Sequence, residues 1–505
     1  MVVCREDEAY KYFGAHKLKE FEGKHIYTFR LMYENADSVE LVWNFSSDKS
    51  YKLSCLSGVW EIIYESDIPL EGMKYKYRIS KNGISFCIPD PLGFYNDASD
   101  LEYTILKTYE EFTINVLERK AEGGSIVSAV VDKPLNICAA ELVFSEQNQF
   151  YDSKKHKNYA DLSDPAVKFL DCMSFTHIEM SVKPFCICTA YGTAEDLFCF
   201  CEALKTSSKG VIARMNFDSV LFNMFTYESD DFKKFFLSSV LFWIKELRAD
   251  GVKLSVDKLL HFGEEKYIES LLEALRSILH REKYGALIIV EGDLDIPRSN
   301  GEEGCRFFKV NQGWQKDTVD YFFAAPKRRH DMITTLTFPF KYACSGDHVL
   351  NLVVNQMLSK TDIKLLLGLF ITHPGKKSIS GDLADIFFSE LCDFYEKLNG
   401  VYIKNEALWE LDSSENGFRW VFKGDCNEPL IAFERYSKIG SSLMCVFNLS
   451  EKYIRGFEVF NVSGHKRSYR KIFISDDAGG EKTDSAISEV DLPPFSFVLL
   501  ERLKI

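Results

Sequence analysis

KGVIARM (Lys209–Met215), GVKLSV (Gly251–Val256) and ALIIV (Ala286–Val290) are three largely apolar runs of strand length. Between them lie amphipathic stretches of helical period, Phe232 to Arg248 and Glu265 to Arg281. Strands this apolar are buried on both faces, as in a parallel sheet covered by helices. Strand and helix alternate from about residue 116 to 400, which predicts parallel β-α units and, in sufficient number, a (β/α)8 barrel.

The flanks carry a different pattern. Up to residue 115 the chain alternates apolar and polar positions in short runs: Tyr27 to Leu31, Ser38 to Trp43 and Lys74 to Ile79. Turn clusters at Glu34-Asn35-Ala36-Asp37 and Lys81-Asn82-Gly83 separate them, so residues 1–115 are expected to form an antiparallel β-sandwich. From about Tyr402 strands return, at Gly417 to Phe422, Leu430 to Arg435, Met444 to Asn448 and Ser496 to Glu501. Residues 401–505 are read as an antiparallel β-domain.

A length of 505 residues exceeds what one hydrophobic core serves, in keeping with this division. A net charge of −14 argues against nucleic-acid binding, which needs basic surface to neutralise phosphates. The first residues carry acids and no apolar h-region, and the longest apolar run, Leu365 to Ile371, is too short to span a bilayer. A cytoplasmic chain with no membrane partner and reduced thiols is therefore expected. Cys186, Cys188, Cys199 and Cys201 form two C-x-C pairs, but lack the C-x-x-C spacing of common zinc sites and a nearby His. Buried thiols are the expected reading, with no metal and no cofactor.

Several segments, taken in order, carry a resemblance. They are Tyr12-Phe13-Gly14-Ala15-His16, Gly58-Val59-Trp60-Glu61, Tyr75-Lys76-Tyr77 and Pro89-Asp90-Pro91 in the N-terminal region. Pro134-Leu135-Asn136-Ile137, Phe175 to Met180, Tyr191 to Asp196, Asn311 to Trp314 and Thr372 to Lys377 follow in the middle. Ala407 to Asp412 and Gly417 to Trp420 lead into the C-terminal region. Together they resemble the glycogen (1,4-α-glucan) branching enzymes of the α-amylase superfamily, from residue 12 to Pro493-Pro494. That resemblance implies a carbohydrate-binding-like sandwich, an α-amylase-type barrel and a C-terminal β-domain. It also implies an activity: cutting an α-1,4-glucan and rejoining the piece through an α-1,6 bond. A retaining transfer of this kind needs a nucleophilic carboxylate and, about 5 Å away, a second carboxyl that donates and then removes a proton.

Position by position, the resemblance implies a degenerate site. In Gly210 to Ser219, Arg214 stands where the family has an Asp, and Ser219 where it has a sugar-contacting His. In Asp250 to Val256, Ser255 occupies the nucleophile position and Lys253 replaces the Arg that orients it. Lysine lacks the planar fork of arginine, and a serine hydroxyl is a poor nucleophile without a base. Asp257 shares strand parity with Ser255, but about 6.6 Å further along an extended strand. Glu291 retains the acid/base position. Val354 replaces a sugar-binding His, and Asn355 replaces the transition-state-stabilising Asp with a neutral isostere. The long loops that build subsites in the family are also missing: Ser255 leads straight into a helix, and Ser378-Ile379-Ser380-Gly381-Asp382 replaces a glycine-rich loop.

Three readings follow. The leading one is a pseudoenzyme that binds α-glucan (glycogen) or partners glycogen-metabolising enzymes. The second is a reduced branching enzyme or α-glucan hydrolase using Glu291 with Asp257 or another relocated acid. The third is an interaction scaffold without sugar binding. Trp43, Trp60, Tyr75 and Tyr77 offer either a sugar-stacking platform or, as alternate strand positions favour, sandwich core.

Overall fold

The structure, a computed structural model, describes residues 8–46, 49–97, 100, 102–108, 133–144, 147–188, 191–217, 219–282, 285–294, 296, 305–337, 346–352, 358–379, 391–424, 429–459, 468–476 and 486–503. It has two compact units. One comprises Met1–Ala129, Ser153–Asp164 and Met180–Arg306, and the other Val130–Asp152, Pro165–Glu179 and Phe307–Ile505.

The first unit begins with two largely antiparallel sheets. One is ordered β1 (Gly14–Phe21), β2 (Lys24–Met32), β6 (Val59–Ser66), β5 (Ser54–Leu56). The other runs β13 (Ile187–Cys188), β9 (Tyr95–Asn96), β10 (Thr104–Ile105), β7 (Lys74–Lys81), β3 (Ser38–Trp43), β4 (Ser50–Lys52), with β8 (Ile84–Ile88) on β7, and only the β13–β9 pair is parallel among its described strands. Alternate residues of β2, β3 and β7 point inward: Tyr27, Phe29, Leu31, Val39, Leu41, Trp43, Tyr75, Tyr77 and Ile79 are all buried. Phe29 meets the edges of Trp43 at 5.6 Å and of Tyr75 at 5.2 Å between ring centroids. Trp60 is buried too, its indole N–H donating to Tyr33 O at 3.0 Å. These rings are the sandwich core, so none of the four aromatics singled out in the sequence faces a sugar.

Below them lies a buried acid. Asp90, from the Pro-Asp-Pro segment, accepts hydrogen bonds from the Tyr75 hydroxyl at 2.7 Å, the Tyr77 hydroxyl at 3.3 Å and Leu92 N–H at 2.9 Å. Burial pushes its carboxyl up to about 6, against the opposing pull of those donors.

The same unit then turns to alternating strand and helix: α1 (Ala194–Thr206), β14 (Gly210–Met215), α2 (Asp230–Leu241), β15 (Gly251–Ser255), α3 (Glu265–Arg281) and β16 (Ala286–Glu291). Thr193 and Asp196 form a capping box that starts α1, with Thr193 N–H donating to Asp196 Oδ2 at 2.8 Å. The matched segment Tyr191 to Asp196 therefore does local structural work. The helix expected to reach Arg248 closes earlier. After Leu241 the coil widens to a π-helical turn, Phe242–Glu246, and Arg248 takes a φ of 57°.

In the second unit β11 (Asn136–Ala139) pairs in parallel with β19 (Lys376–Ile379), and β19 with β18 (His348–Leu352), which follows β17 (Cys305–Val310). With β12 (His177–Val182), the parallel strands close a barrel in the order β11, β12, β14, β15, β16, β17, β18, β19. A (β/α)8-like core, flanked by N-terminal sheets and a C-terminal antiparallel domain, is the fold expected from the sequence. The second unit also contains the helices α4 (Gln312–Phe323), α5 (Lys360–Thr372) and α6 (Leu391–Lys404). Tyr402, where strands were expected to resume, is the buried end of α6. The C-terminal sheet instead starts with β20 (Phe418–Lys423), followed by β21 (Leu430–Tyr436), β22 (Ser442–Asn448), β24 (Tyr469–Ile474) and β26 (Ser496–Arg502), ordered β20-β21-β22-β26-β24.

A buried charge cluster ties β19 to this sheet. The Arg435 guanidinium, 0% exposed, donates to Asp412 Oδ1 at 2.7 Å and Thr372 O at 2.7 Å. Lys376 Nζ lies 3.4 Å from Asp412 Oδ2 and donates to Trp409 O at 2.8 Å. Lys377 Nζ donates to His373 O and Gly375 O, each at 2.6 Å. Burial alone would push the Asp412 carboxyl up, but Lys376, Arg435 and Lys377 hold it below the usual carboxylate range.

Removing Asp412 strands buried cations, so Asp412→Ala is expected to cost about 3–5 kcal/mol in urea denaturation. Asp90 gives a pH signature. Its carboxyl titrates at 3.8 in ordinary surroundings and at about 6 when folded, so folding takes up a proton between these values. Stability should therefore fall as pH rises through that window, by up to about 3 kcal/mol, relative to Asp90→Asn. Denaturation midpoints of both proteins at stepped pH check this.

Candidate functional site

β15 and β16 are buried up to their last residues, Ser255 and Glu291, which are not, and β14 is buried except at its penultimate residue, Arg214. Parallel pairing sets Arg214 beside Lys253, and Ser255 beside Glu291. Lys253 and Ser255 share a face of β15, because side chains alternate along a strand. The strand ends thus gather Arg214, Lys253, Ser255 and Glu291 in one unit.

Their environments differ. Lys253 is 3% exposed and its Nζ lies 4.0 Å from Glu291 Oε2, whose side chain is 26% exposed. Arg214 is exposed and Ser255 half-buried. Sequence reading named Lys253 and Glu291 separately and missed that they pair. The available signal was parity: a basic residue two before a strand end, beside a strand ending in an acid.

The chain turns sharply after both strands. Ser255 is the N-cap of a single helical turn, Val256–Leu259, with no side-chain capping bond. The strand expected to carry Asp257 has already ended, and Asp257 is exposed in that turn, off the strand parity of Ser255. After Glu291, Gly292 adopts φ +138°, and a Cβ there would lie 2.5 Å from Val256 Cβ. Only glycine fits this turn without moving the helical turn that Val256 opens.

The connection after β14 is short. Ser219 opens the helical turn Ser219–Phe222. Glu34, from the sandwich, accepts hydrogen bonds from Thr226 N–H at 2.7 Å and from the Ser229 hydroxyl, and its own N–H donates to Met224 O at 2.8 Å. Ser229 is in turn the N-cap of α2, accepting from Asp231 and Phe232 N–H.

In the second unit, Asn351 is buried near the end of β18. Val354 and Asn355 lie outside the described residues, as does 380–382. His177 Nδ1 lies 2.9 Å from Thr176 Oγ1. Cys186 and Cys199 are half-buried and Cys201 is buried, its thiol pushed up to about 12 by burial, unsuited to a thiolate ligand. Cys188 has no described side chain. Among the described residues no group of three or more His, Cys, Asp or Glu could hold a metal ion, and no helix is long and apolar enough to cross a membrane.

The described strand ends of the first unit therefore offer one carboxylate, two cations and a hydroxyl. An acid paired with a cation can hold a hydroxylated ligand through hydrogen bonds. Double displacement at a sugar carbon needs a second carboxyl about 5 Å from the first, and β15 supplies a hydroxyl in register with Glu291.

Residues 12–93 match the family Carbohydrate-binding module 48 (Isoamylase N-terminal domain). The chain is 25% identical to the 1,4-alpha-glucan branching enzyme GlgB of Fusobacterium nucleatum, over 88% of this chain and 86% of that protein. It is also 25% identical to the GlgB of Geobacillus stearothermophilus, over 90% of this chain and 84% of that protein. Among solved structures, the catalytic module of the glycogen-degrading pneumococcal virulence factor SpuA superposes with a TM-score of 0.72 at 12% identity, covering 98% of each chain. A pullulanase from Bacillus acidopullulyticus superposes with a TM-score of 0.69 at 12% identity, over 97% of this chain and 75% of that one. At such identities the superpositions speak to fold alone.

The glycine turn behind Glu291 is testable by itself. Gly292→Ala should destabilise the protein by about 1–3 kcal/mol, from backbone strain and the clash with Val256. Guanidinium denaturation of the two proteins measures it.

Proposed function

We propose that this chain, a homologue of glucan-acting enzymes of the α-amylase superfamily related to branching enzymes and pullulanases, is an α-glucan-binding pseudoenzyme. In this reading Glu291 keeps the acid/base position, Ser255 fills the nucleophile position, and Asn355 fills that of the transition-state stabiliser. Arg214, Ser219, Lys253 and Val354 stand at altered subsite positions. The setting is glycogen metabolism in a cytoplasm, with the domains divided near residues 115 and 400.

One observation carries the reading: Ser255 is the residue in register with Glu291, while the cation 4.0 Å from that carboxylate is Lys253. A hydroxyl there has no described base to activate it, and a glycosyl-serine would be a poor substitute for a glycosyl-carboxylate intermediate. Removing one member of a catalytic unit costs on the order of 10⁴–10⁶ in turnover, and further losses add little because the members act together. What survives such losses is binding. A barrel face lined by a carboxylate, cations and hydroxyls still supplies donors and acceptors for sugar hydroxyls.

Two assays separate this from its rivals. Incubation with amylose, followed by the iodine spectrum, should show branching at least about 10⁴-fold below an active homologue. Sedimentation with glycogen should carry the protein into the pellet. Robust branching would sink the pseudoenzyme reading, and a protein left wholly in the supernatant would favour a scaffold that does not bind sugar.

A further inference from the structure

The end of α2 departs from regular geometry without a break in its sequence. Past Leu241 it continues as the π-helical turn Phe242–Glu246, and Leu247 N–H reaches back five residues to Phe242 O at 3.2 Å. The cap is widened to match. Arg248 is left-handed at φ 57°, and Ala249 N–H bonds six residues back, to Trp243 O at 2.9 Å. A regular α-helix that closes on a left-handed residue bonds five residues back at that point. One extra residue is thus held in the last turn. Such turns are rare, and Phe242-Trp243-Ile244-Lys245-Glu246 contains no Gly or Pro to break the regular ladder. The cause lies outside the helix.

Glu8 to Tyr12 lies against it. Ala9 N–H donates to Ser238 Oγ at 2.8 Å, the Tyr10 hydroxyl donates to Glu246 Oε1 at 3.0 Å, and Glu8 pairs with Lys245. One short segment therefore grips the helix ahead of the wide turn and at two residues inside it. Eight residues along a regular α-helix, Glu246 would stand about 80° round from Ser238. The wide turn takes up about one residue, which brings Glu246 back toward the face of Ser238, where adjacent residues of the segment reach both. The Tyr10 ring, wholly buried, meets Phe242 edge-on at 5.3 Å between centroids.

The wide turn makes a contact of its own. The Trp243 indole N–H donates to Lys183 O and Pro184 O, each at 3.0 Å, and these are the two residues that follow β12. Phe185, next in the chain, packs on Phe242 at 5.6 Å and on Phe235 at 5.2 Å. Segment, wide turn and connection after β12 form one chain of contacts within the first unit.

We propose that Glu8 to Tyr12 is a strap that holds the end of α2 in its π form and, through Trp243, sets the connection after β12. With the strap off, the turn re-forms as α-helix and that connection is released. This device is independent of the reading given for the strand ends. Tyr10→Phe combined with Ser238→Ala tests it in the full chain, removing both hydrogen bonds while keeping the aromatic ring and a good helix former. Hydrogen exchange read by mass spectrometry should speed up about fivefold or more in both Tyr10–Phe13 and Phe185–Cys186, and stay as in the parent in α3 and β22. A crystal structure of the double variant should show Leu247 N–H bonded four residues back, to Trp243 O. Tyr10→Phe alone should give a smaller rise in the same two segments. A strap that exchanges faster while Phe185–Cys186 does not would overturn the proposal. So would unchanged exchange in both segments, an equal rise in α3 and β22, or a variant crystal that keeps the π turn.

Discussion

Arg435 is wholly buried and spends its guanidinium on the chain around it: Thr372 O after the barrel's penultimate connection, Leu408 O, Gly417 O and the Asp412 carboxylate. Asp412 is shared with Lys376 at the start of β19. A strand of the barrel, through Lys376, and a strand of the C-terminal sheet, through Arg435, therefore meet on one carboxylate. Buried ions are costly to desolvate, and such a cluster is better read as fixing an arrangement than as adding stability. The arrangement in question is the seating of β19 against β21. The cluster acts there beside the packing of Phe394 on Phe473 and Phe497 and the bond from Lys364 to Ser475 O.

That cluster belongs to the end of the barrel where strands begin, while Arg214, Lys253, Ser255 and Glu291 sit where strands finish. Barrel proteins commonly divide labour in this way, with stability at one end and chemistry at the other. Here Asp412, Arg435 and Lys376 meet at the start of β19, and Glu291 meets Lys253 at the described strand ends of the first unit.

How legible this was depended on the range of the interaction. α3 was readable because its apolar positions recur along one helix face, and β14, β15 and β16 because their runs are apolar and short. Local pattern failed where tertiary contacts set the geometry. The coil widens after Leu241 where Tyr10, Phe185 and Phe235 crowd around this helical segment, and Tyr10 donates to Glu246. Tyr402 reads as the start of a strand region because its apolar neighbours fit a strand as well as a helix. Ser255-Val256-Asp257 reads two ways, as a strand continuing to Asp257 and as a strand passing straight into a helix, and the structure takes the second. The resemblance to branching enzymes pointed to Ser255 and Glu291, but not to the pairing of Lys253 with Glu291. The partners of Lys376 and Lys377 were invisible for the same reason: Asp412 and Arg435 are distant in sequence.

The Glu34 carboxylate gives the connection after β14 a further meaning. By accepting from Thr226 and from Ser229, itself the cap of α2, it moors that connection to the sandwich. Releasing Glu34 would therefore loosen the N-terminal cap of α2 and the connection before it together, so the sandwich sets where that helix begins.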